Sequence, residues 1–188
     1  MVKIRASGSP LPLAHRPVGE YPPKPDRSLN NTVRQKIKSP MCFVLYIASN
    51  KPLPIIPWDP DADCVHTEDL PEAAVAFRSH FTGRHVYYVG SDTNCGCGYR
   101  HATYNNGSWP DEEWRLEDDA REAQPNHERL VRLIREHLEG EESCELYGVW
   151  DGSSIDPAVC HLDITLQGLQ ELDFCFRERC HYTVQLLG

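Results

Sequence analysis

The stretch His85–Tyr99, which reads HVYYVGSDTNCGCGY, constrains the fold more than any other part of this sequence. Its first five residues form an apolar, β-prone run that is typical of a buried strand. A loop with two cysteines and several glycines follows directly. Glycine permits positive φ angles, so such a loop can bring both sulfurs to one side. The sequence therefore predicts a buried strand that ends in a loop equipped for chemistry.

Three further strands are predicted from apolar or alternating runs, near residues 42–49, 144–150 and 181–187. The first of them, CFVLYIAS, is continuously apolar, as expected for a central strand that is buried on both faces. Together with the strand at residues 85–90, they predict a mixed sheet of about four or five strands.

The clearest helix is predicted at residues 126–139. Asn126 is a favourable N-cap, apolar residues recur at helical spacing, and Gly140 provides a stop. One or two shorter helices are also expected, one of them starting near Thr67 or Asp69 and carrying LPEAAVAFRSHF. The predicted fold class is therefore a single α+β domain, with the main amphipathic helix packed on one face of the sheet.

The domain organisation follows from charge and proline content. Residues 1–40 hold eight basic and two acidic side chains, seven of the fifteen prolines and none of the cysteines, whereas residues 41–188 hold eleven basic and 26 acidic side chains. A segment with so few large apolar residues cannot offset the entropy cost of ordering. We therefore predict a disordered, basic, Pro-rich tail at 1–40 and one domain at 41–188. Met41 stands at this boundary and is a candidate native start.

Composition also argues against several classes of function. No run of about 18 apolar residues is present, so no membrane association is expected. No secretory signal is recognised, and eight cysteines in 188 residues are too few for a disulfide scaffold. These features predict a cytoplasmic protein with reduced thiols. The acidic body would repel phosphate, so no nucleic-acid partner is expected for it, and a protein or small-molecule partner stays unknown.

The loop Cys95-Gly96-Cys97-Gly98 is the candidate site, and several interpretations of it stay open. A soft metal ion such as zinc would take the thiolates of Cys95 and Cys97, with His101 and a distant Cys or His completing the tetrahedron. Alternatively, the loop is a glycine-rich anion nest, or the cysteines only pack as small buried side chains.

A second ligand pair for zinc is not evident in the sequence. Cys180 and His181 are adjacent, so on a strand they would point to opposite faces and could not bind one ion together. We therefore predict a small binding or regulatory protein with a candidate metal site formed by Cys95, Cys97 and His101.

Two enzymatic alternatives use thiols. In the first, Cys95 or Cys97 is a nucleophile whose pKa is lowered by Arg100 or by oriented amide groups. In the second, translation starts at Met41 and removal of the methionine exposes Cys42 as the nucleophile of an N-terminal amidohydrolase. Phe43 argues against the second alternative, because glycine follows the cysteine in the glutamine amidotransferase opening.

The runs CFVLYIASNKPLP, HVYYVGS with CGCGY, and FRERCHYTV resemble those of small uncharacterised bacterial proteins that carry a CGCG loop. The resemblance covers roughly residues 41–188. It implies that this body is the folded unit, and it carries over no catalytic or binding residue.

Overall fold

The computed structural model describes residues 42–62, 64–104, 107–109, 117–152 and 157–186. All of them belong to one unit of the chain, residues 38–188. The predicted tail at 1–40 and the candidate start Met41 lie outside the described residues.

The described chain is built around a mixed six-stranded sheet with the order β2-β3-β1-β5-β8-β6. Neighbouring strands are antiparallel except β6 and β8, which are parallel. Two short parallel strands, β4 and β7, pair separately. The bounds of the strands are β1 Phe43–Ser49, β2 His66–Asp69, β3 His85–Gly90, β4 His101–Ala102, β5 Ser143–Trp150, β6 Cys160–Thr165, β7 Phe176–Arg177 and β8 Cys180–Gln185.

The helical elements of the described residues are one long helix and three 3₁₀ segments. The long helix is α1 (Glu117–His137), and the 3₁₀ segments are Glu72–His80, Gly96–Gly98 and Gly168–Gln170. The α+β class is thus confirmed. None of the described helices has the length and apolar character needed to cross a membrane.

The predicted strand count of four or five was too low, because the main sheet has six strands in the described part of the chain. The two missed strands, β2 and β6, are the edges of the sheet. Their sequences, HTED and CHLDIT, are largely polar, and much of β6 is exposed. An edge strand covers less core than a central strand, so its hydrophobic pattern is weak.

Two helix boundaries also differ from the predictions. Thr67 and Asp69 belong to β2, and the short helix is a 3₁₀ segment with Pro71 at its N-cap position. Asn126 lies inside α1 and is buried, so it is not the N-cap. Gly140 does follow the end of the helix, with the positive φ of 90° that suits glycine at a helix C-terminus.

Each face of the sheet carries its own core. Alternate residues of β1 point to opposite faces, so Leu45 and Ile47 pack in the cluster that includes Leu130 and Ile134 of α1. On the other face, Tyr46 belongs to a smaller cluster that includes two residues of the 3₁₀ segment, Ala74 and Phe77. Both faces of β1 are therefore covered, which explains its uninterrupted apolar sequence.

Candidate metal centre

The sheet topology brings three cysteines together from two distant segments. Cys42 immediately precedes β1, and Cys95 and Cys97 lie in the loop that follows β3. β1 and β3 are antiparallel neighbours, with Leu45 opposite Val89. The start of β1 therefore lies beside the end of β3, and Cys42 meets the CGCG loop.

The first half of the loop is fixed by hydrogen bonds to Ser91. The Ser91 amide and hydroxyl both donate to the Cys95 carbonyl oxygen, at 2.9 and 2.7 Å. The Asn94 amide donates back to the Ser91 carbonyl oxygen at 3.1 Å. Asn94 has the positive φ of this turn, 60°, which asparagine tolerates better than most residues. These bonds set the position of Cys95 before any ligand is present.

Glycines shape the second half of the loop through close packing. Gly96 and Gly98 are not among the described positive-φ residues, so the sequence-based idea of φ > 0 in this pair was wrong. A Cβ on Gly96 would lie 2.8 Å from the Phe43 carbonyl oxygen, and one on Gly98 would lie 2.2 Å from the Ser91 hydroxyl oxygen. Gly96 thus lets the loop lie directly against the start of β1.

Helix α1 anchors the loop from a third side through Asn126. Its side-chain amide nitrogen donates to the Gly98 carbonyl oxygen at 3.0 Å and to Asp92 Oδ1 at 3.1 Å. Its carbonyl oxygen accepts a bond from the guanidinium of Arg129 at 3.0 Å. The buried Asn126, first interpreted as a helix cap, thus helps to position the candidate site.

The three sulfur atoms lie within 4.8 Å of one another and form the one such group of potential metal ligands in the described part of the chain. None of the three cysteines forms a disulfide bond. Two backbone amides donate to the sulfurs: Phe43 to Cys97 Sγ at 3.2 Å, and Cys97 to Cys95 Sγ at 3.3 Å. The Thr93 hydroxyl lies 3.5 Å from Cys95 Sγ. Such donors favour negative charge on sulfur.

One thiol of the group has a lowered pKa, and the other two have raised pKa values. A hydrogen bond from the Cys97 thiol, helped by Thr93 and an amide, lowers the pKa of Cys95 from 9.0 to about 6 despite its partial burial. The same bond raises the pKa of Cys97, which acts as the donor to the Cys95 thiolate. Burial, followed by the charge of Cys95, raises the pKa of Cys42. Near neutral pH the group therefore carries a single negative charge, centred on Cys95.

His101 lies next to this region but is not a member of the three-sulfur group. Its ring stacks on Phe43 with centroids 4.4 Å apart and meets the Trp150 ring edge-on at 5.1 Å. Its Nδ1 lies 2.9 Å from the Tyr99 carbonyl oxygen. The structure therefore brings Cys95 and Cys97 together with Cys42. A ligand role for His101 stays a prediction.

The structure also bears on two further predictions, that Arg100 lowers a cysteine pKa and that Cys180 and His181 point to opposite faces. The guanidinium of Arg100 donates to the carbonyl oxygens of Glu171 and Leu172, while amides and thiols surround Cys95. Oriented donors rather than a neighbouring cation thus account for the low pKa of Cys95. Cys180 is part of the core on the α1 side, whereas His181 contacts Glu145, so the two do point apart.

Sequence analysis missed Cys42 as a member of the group. It identified the residue only as an N-terminal nucleophile and expected a distant Cys or His as a further ligand. The sequence feature that could have indicated its role is that Cys42 directly precedes one central strand, while Cys95 and Cys97 follow another central strand. That Cys42 lies close to Cys95 and Cys97 follows only once β1 is known to pair with β3.

Comparison of the chain with protein-family models, with curated proteins and with solved structures gives no match. The case for a function therefore depends on the geometry and chemistry of the site.

Proposed function

We propose that this protein binds a thiophilic metal ion, zinc in the first instance, through the sulfurs of Cys42, Cys95 and Cys97. The observation that carries the proposal is the convergence of three cysteine sulfurs, none of them in a disulfide and from segments more than fifty residues apart, within 4.8 Å. Three thiolates are a donor set that soft and borderline cations prefer and hard cations avoid.

The spacing of the sulfurs suits a shared ion. With a zinc–sulfur bond of about 2.3 Å, two sulfurs on one tetrahedral or trigonal ion lie about 3.8–4.0 Å apart. The sulfur atoms lie within 4.8 Å of one another, which exceeds this spacing by at most about 1 Å. Small side-chain rotations would therefore close the site, without movement of the backbone that Ser91 and Asn126 hold.

The electrostatics of the group also support metal binding. Metal ions bind thiolates, and Cys95 already supplies one near neutral pH because its pKa is about 6. The ion would then displace the protons of Cys42 and Cys97, whose negative charge it compensates. Binding should therefore release protons and weaken in acid.

Three protein ligands leave room for a fourth, exogenous ligand. Zinc sites with three protein ligands keep such an open position for water or for a bound group, whereas closed four-ligand sites are structural. Cys97 is exposed, and Cys42 and Cys95 are half-buried, so solvent reaches the group. We infer a small binding or regulatory protein that exchanges its metal or a metal-bound ligand, in the cytoplasm, where thiols stay reduced.

The test is a zinc titration of the full chain, purified under reducing conditions without an affinity tag. We expect one zinc per chain at this site, competed away by a chelator, and a loss of at least tenfold in affinity for Cys42→Ser, Cys95→Ser and Cys97→Ser. Cys64→Ser is the matched control, because Cys64 is a half-buried free thiol outside the group. Unchanged zinc affinity in all three variants would refute the proposal.

A second candidate function rests on the ionised Cys95. A half-exposed thiolate at neutral pH is a competent nucleophile, and the Cys97 thiol beside it is placed to donate a proton or to resolve a mixed disulfide. Metal-free protein in which one thiol alkylates much faster than the others, and in which Cys95→Ser removes that reaction, would favour a thiol-dependent enzyme over the metal-binding protein.

A further inference from the structure

Two Cys-His dipeptides lie side by side on the last two strands of the sheet, at its β6 edge. β6 and β8 pair in parallel with Cys160 opposite Cys180 and His161 opposite His181. Neighbouring residues of a strand point to opposite faces. The two cysteines therefore face the α1 side, where Cys180 is fully buried, and the two histidines lie together on the other face.

The two imidazole rings have a spacing that one metal ion can bridge. Their centroids are 5.2 Å apart and the rings are tilted by 43°. With metal–nitrogen bonds of about 2.0–2.1 Å, two imidazoles on a tetrahedral ion have centroids about 5 Å apart. His161 is exposed on the edge strand, so an ion can approach from solvent.

A buried carboxylate orients the inner histidine. Glu145 Oε2 lies 3.1 Å from His181 Nε2, and both side chains are largely buried. Glu145 also accepts bonds from the amides of Thr82, at Oε2, and of Gly83, at Oε1, so both of its oxygens act as acceptors. Its oxygen can only accept from Nε2, which must therefore carry the proton.

In the neutral imidazole, a proton on Nε2 leaves Nδ1 of His181 with its lone pair. Neither this nitrogen nor the ring of His161 makes a hydrogen bond within the described residues. A carboxylate that holds the far nitrogen of an imidazole is the usual support of a metal-bound histidine.

We propose that His161 and His181 form a second metal site, for a borderline divalent cation such as Zn²⁺, with Glu145 as the residue that positions His181. Imidazole nitrogen is a ligand suited to Zn²⁺, Cu²⁺ and Ni²⁺. Solvent would supply the remaining ligands of an ion held at the sheet edge, so this site should bind more weakly than three thiolates. It is separate from the cysteine group, which lies at the start of β1 and the end of β3, because β5 lies between β1 and the strand that carries His181.

The experiment is a calorimetric zinc titration of the full chain, with Zn²⁺ as the only probe. We expect a tight site and a weaker one. His161→Asn should lower the affinity of the weaker site at least tenfold, and Glu145→Gln should lower it about tenfold. His85→Asn is the matched control, because His85 is a half-buried strand histidine on β3. The two sites are told apart with Cys42→Ser, which should affect only the tight one.

Because His181 is buried, its substitution could unfold the chain, so nitrogen NMR of the wild-type histidines replaces it. Zinc should shift Nδ1 of His181 and leave Nε2 protonated. A weaker site that keeps its affinity in His161→Asn, or a single zinc that only the cysteine variants abolish, would overturn this proposal. If only the cysteine variants abolish zinc binding, the proposed function holds and the histidine site is refuted. If only His161→Asn abolishes it, the histidine site holds and the proposed function is refuted.

Discussion

Replacing Glu145 by Gln should destabilise the protein near neutral pH and much less in acid. Glu145 is 9 % exposed, and its carboxylate accepts bonds from the amides of Thr82 and Gly83, from the Thr82 hydroxyl and from His181 Nε2. It thus joins β5, β8 and the turn before β3. An amide at this position keeps one acceptor but loses the charge and presents two donors to a site built from donors.

The magnitude follows from the pKa of the carboxyl group. Burial on its own would raise this pKa, but the bonds from His181 and Thr82 outweigh it and lower the value from 4.5 to about 2. One pKa unit corresponds to about 1.4 kcal/mol, so the ionised form contributes on the order of 3 kcal/mol to folding. Because the folded pKa is depressed, this contribution is complete above about pH 4.5 and is lost as the pH falls towards about 2.

The assay is urea unfolding of wild type and Glu145→Gln at a series of pH values. The variant should lose about 2–3 kcal/mol of unfolding free energy near pH 7, and the difference should shrink steadily below about pH 4.5. Glu142→Gln, an exposed position three residues earlier, should stay within about 0.5 kcal/mol of wild type. Equal stabilities near neutral pH, or a difference that persists unchanged at about pH 3, would refute the role assigned to Glu145.

Three further predictions concern the cysteine loop. Alkylation of Cys95 in metal-free protein should follow a titration with a midpoint of about 6, measured by mass spectrometry of labelled peptides, and a midpoint near 9.0 would contradict the hydrogen-bond account. Gly96→Ala should cost about 1–3 kcal/mol and weaken zinc binding, because the added methyl meets the Phe43 carbonyl; unaltered thermal stability would show that the loop can move away. Asn126→Ala should raise hydrogen exchange at the Tyr99 amide, which belongs to the same peptide group as the Gly98 carbonyl that Asn126 holds, and an exchange rate equal to wild type would remove Asn126 from the site.

The strands that could be predicted from the sequence are those in the middle of the sheet, because a buried strand requires a run of apolar or alternating residues. β1, β3, β5 and β8 form the middle of the sheet, and each was predicted within about two residues from a run of apolar or alternating side chains. β2 and β6 were not among the predicted strands of the sheet, because an edge strand needs little apolar surface. Glu68 and Asp163, in the middle of these strands, face solvent.

The long helix shows how a correct pattern leads to a wrong boundary. Asn126 is a favourable N-cap residue, and the apolar stripe does begin after it. In the structure Pro125 lies within α1, and Asn126 turns its side chain to the loop carbonyl of Gly98. Asn126 thus bonds to a distant loop instead of capping the helix, and a contact between distant segments cannot be predicted from the local sequence.

The candidate site was half predictable for the same reason. Cys95 and Cys97 stand out because two cysteines and two glycines share one short loop. Cys42 stands alone in the sequence, and it joins them only through the pairing of Leu45 with Val89, a contact between strands about forty residues apart.

X-ray absorption at the zinc edge tests the central claim most directly, because it counts the sulfur atoms bound to the ion. At one equivalent of zinc, we predict three sulfurs at about 2.3 Å in the wild-type chain and two in Cys42→Ser. A zinc shell made only of nitrogen and oxygen, or a sulfur count that Cys42→Ser leaves unchanged, would contradict the assignment of Cys42, Cys95 and Cys97 to one metal ion.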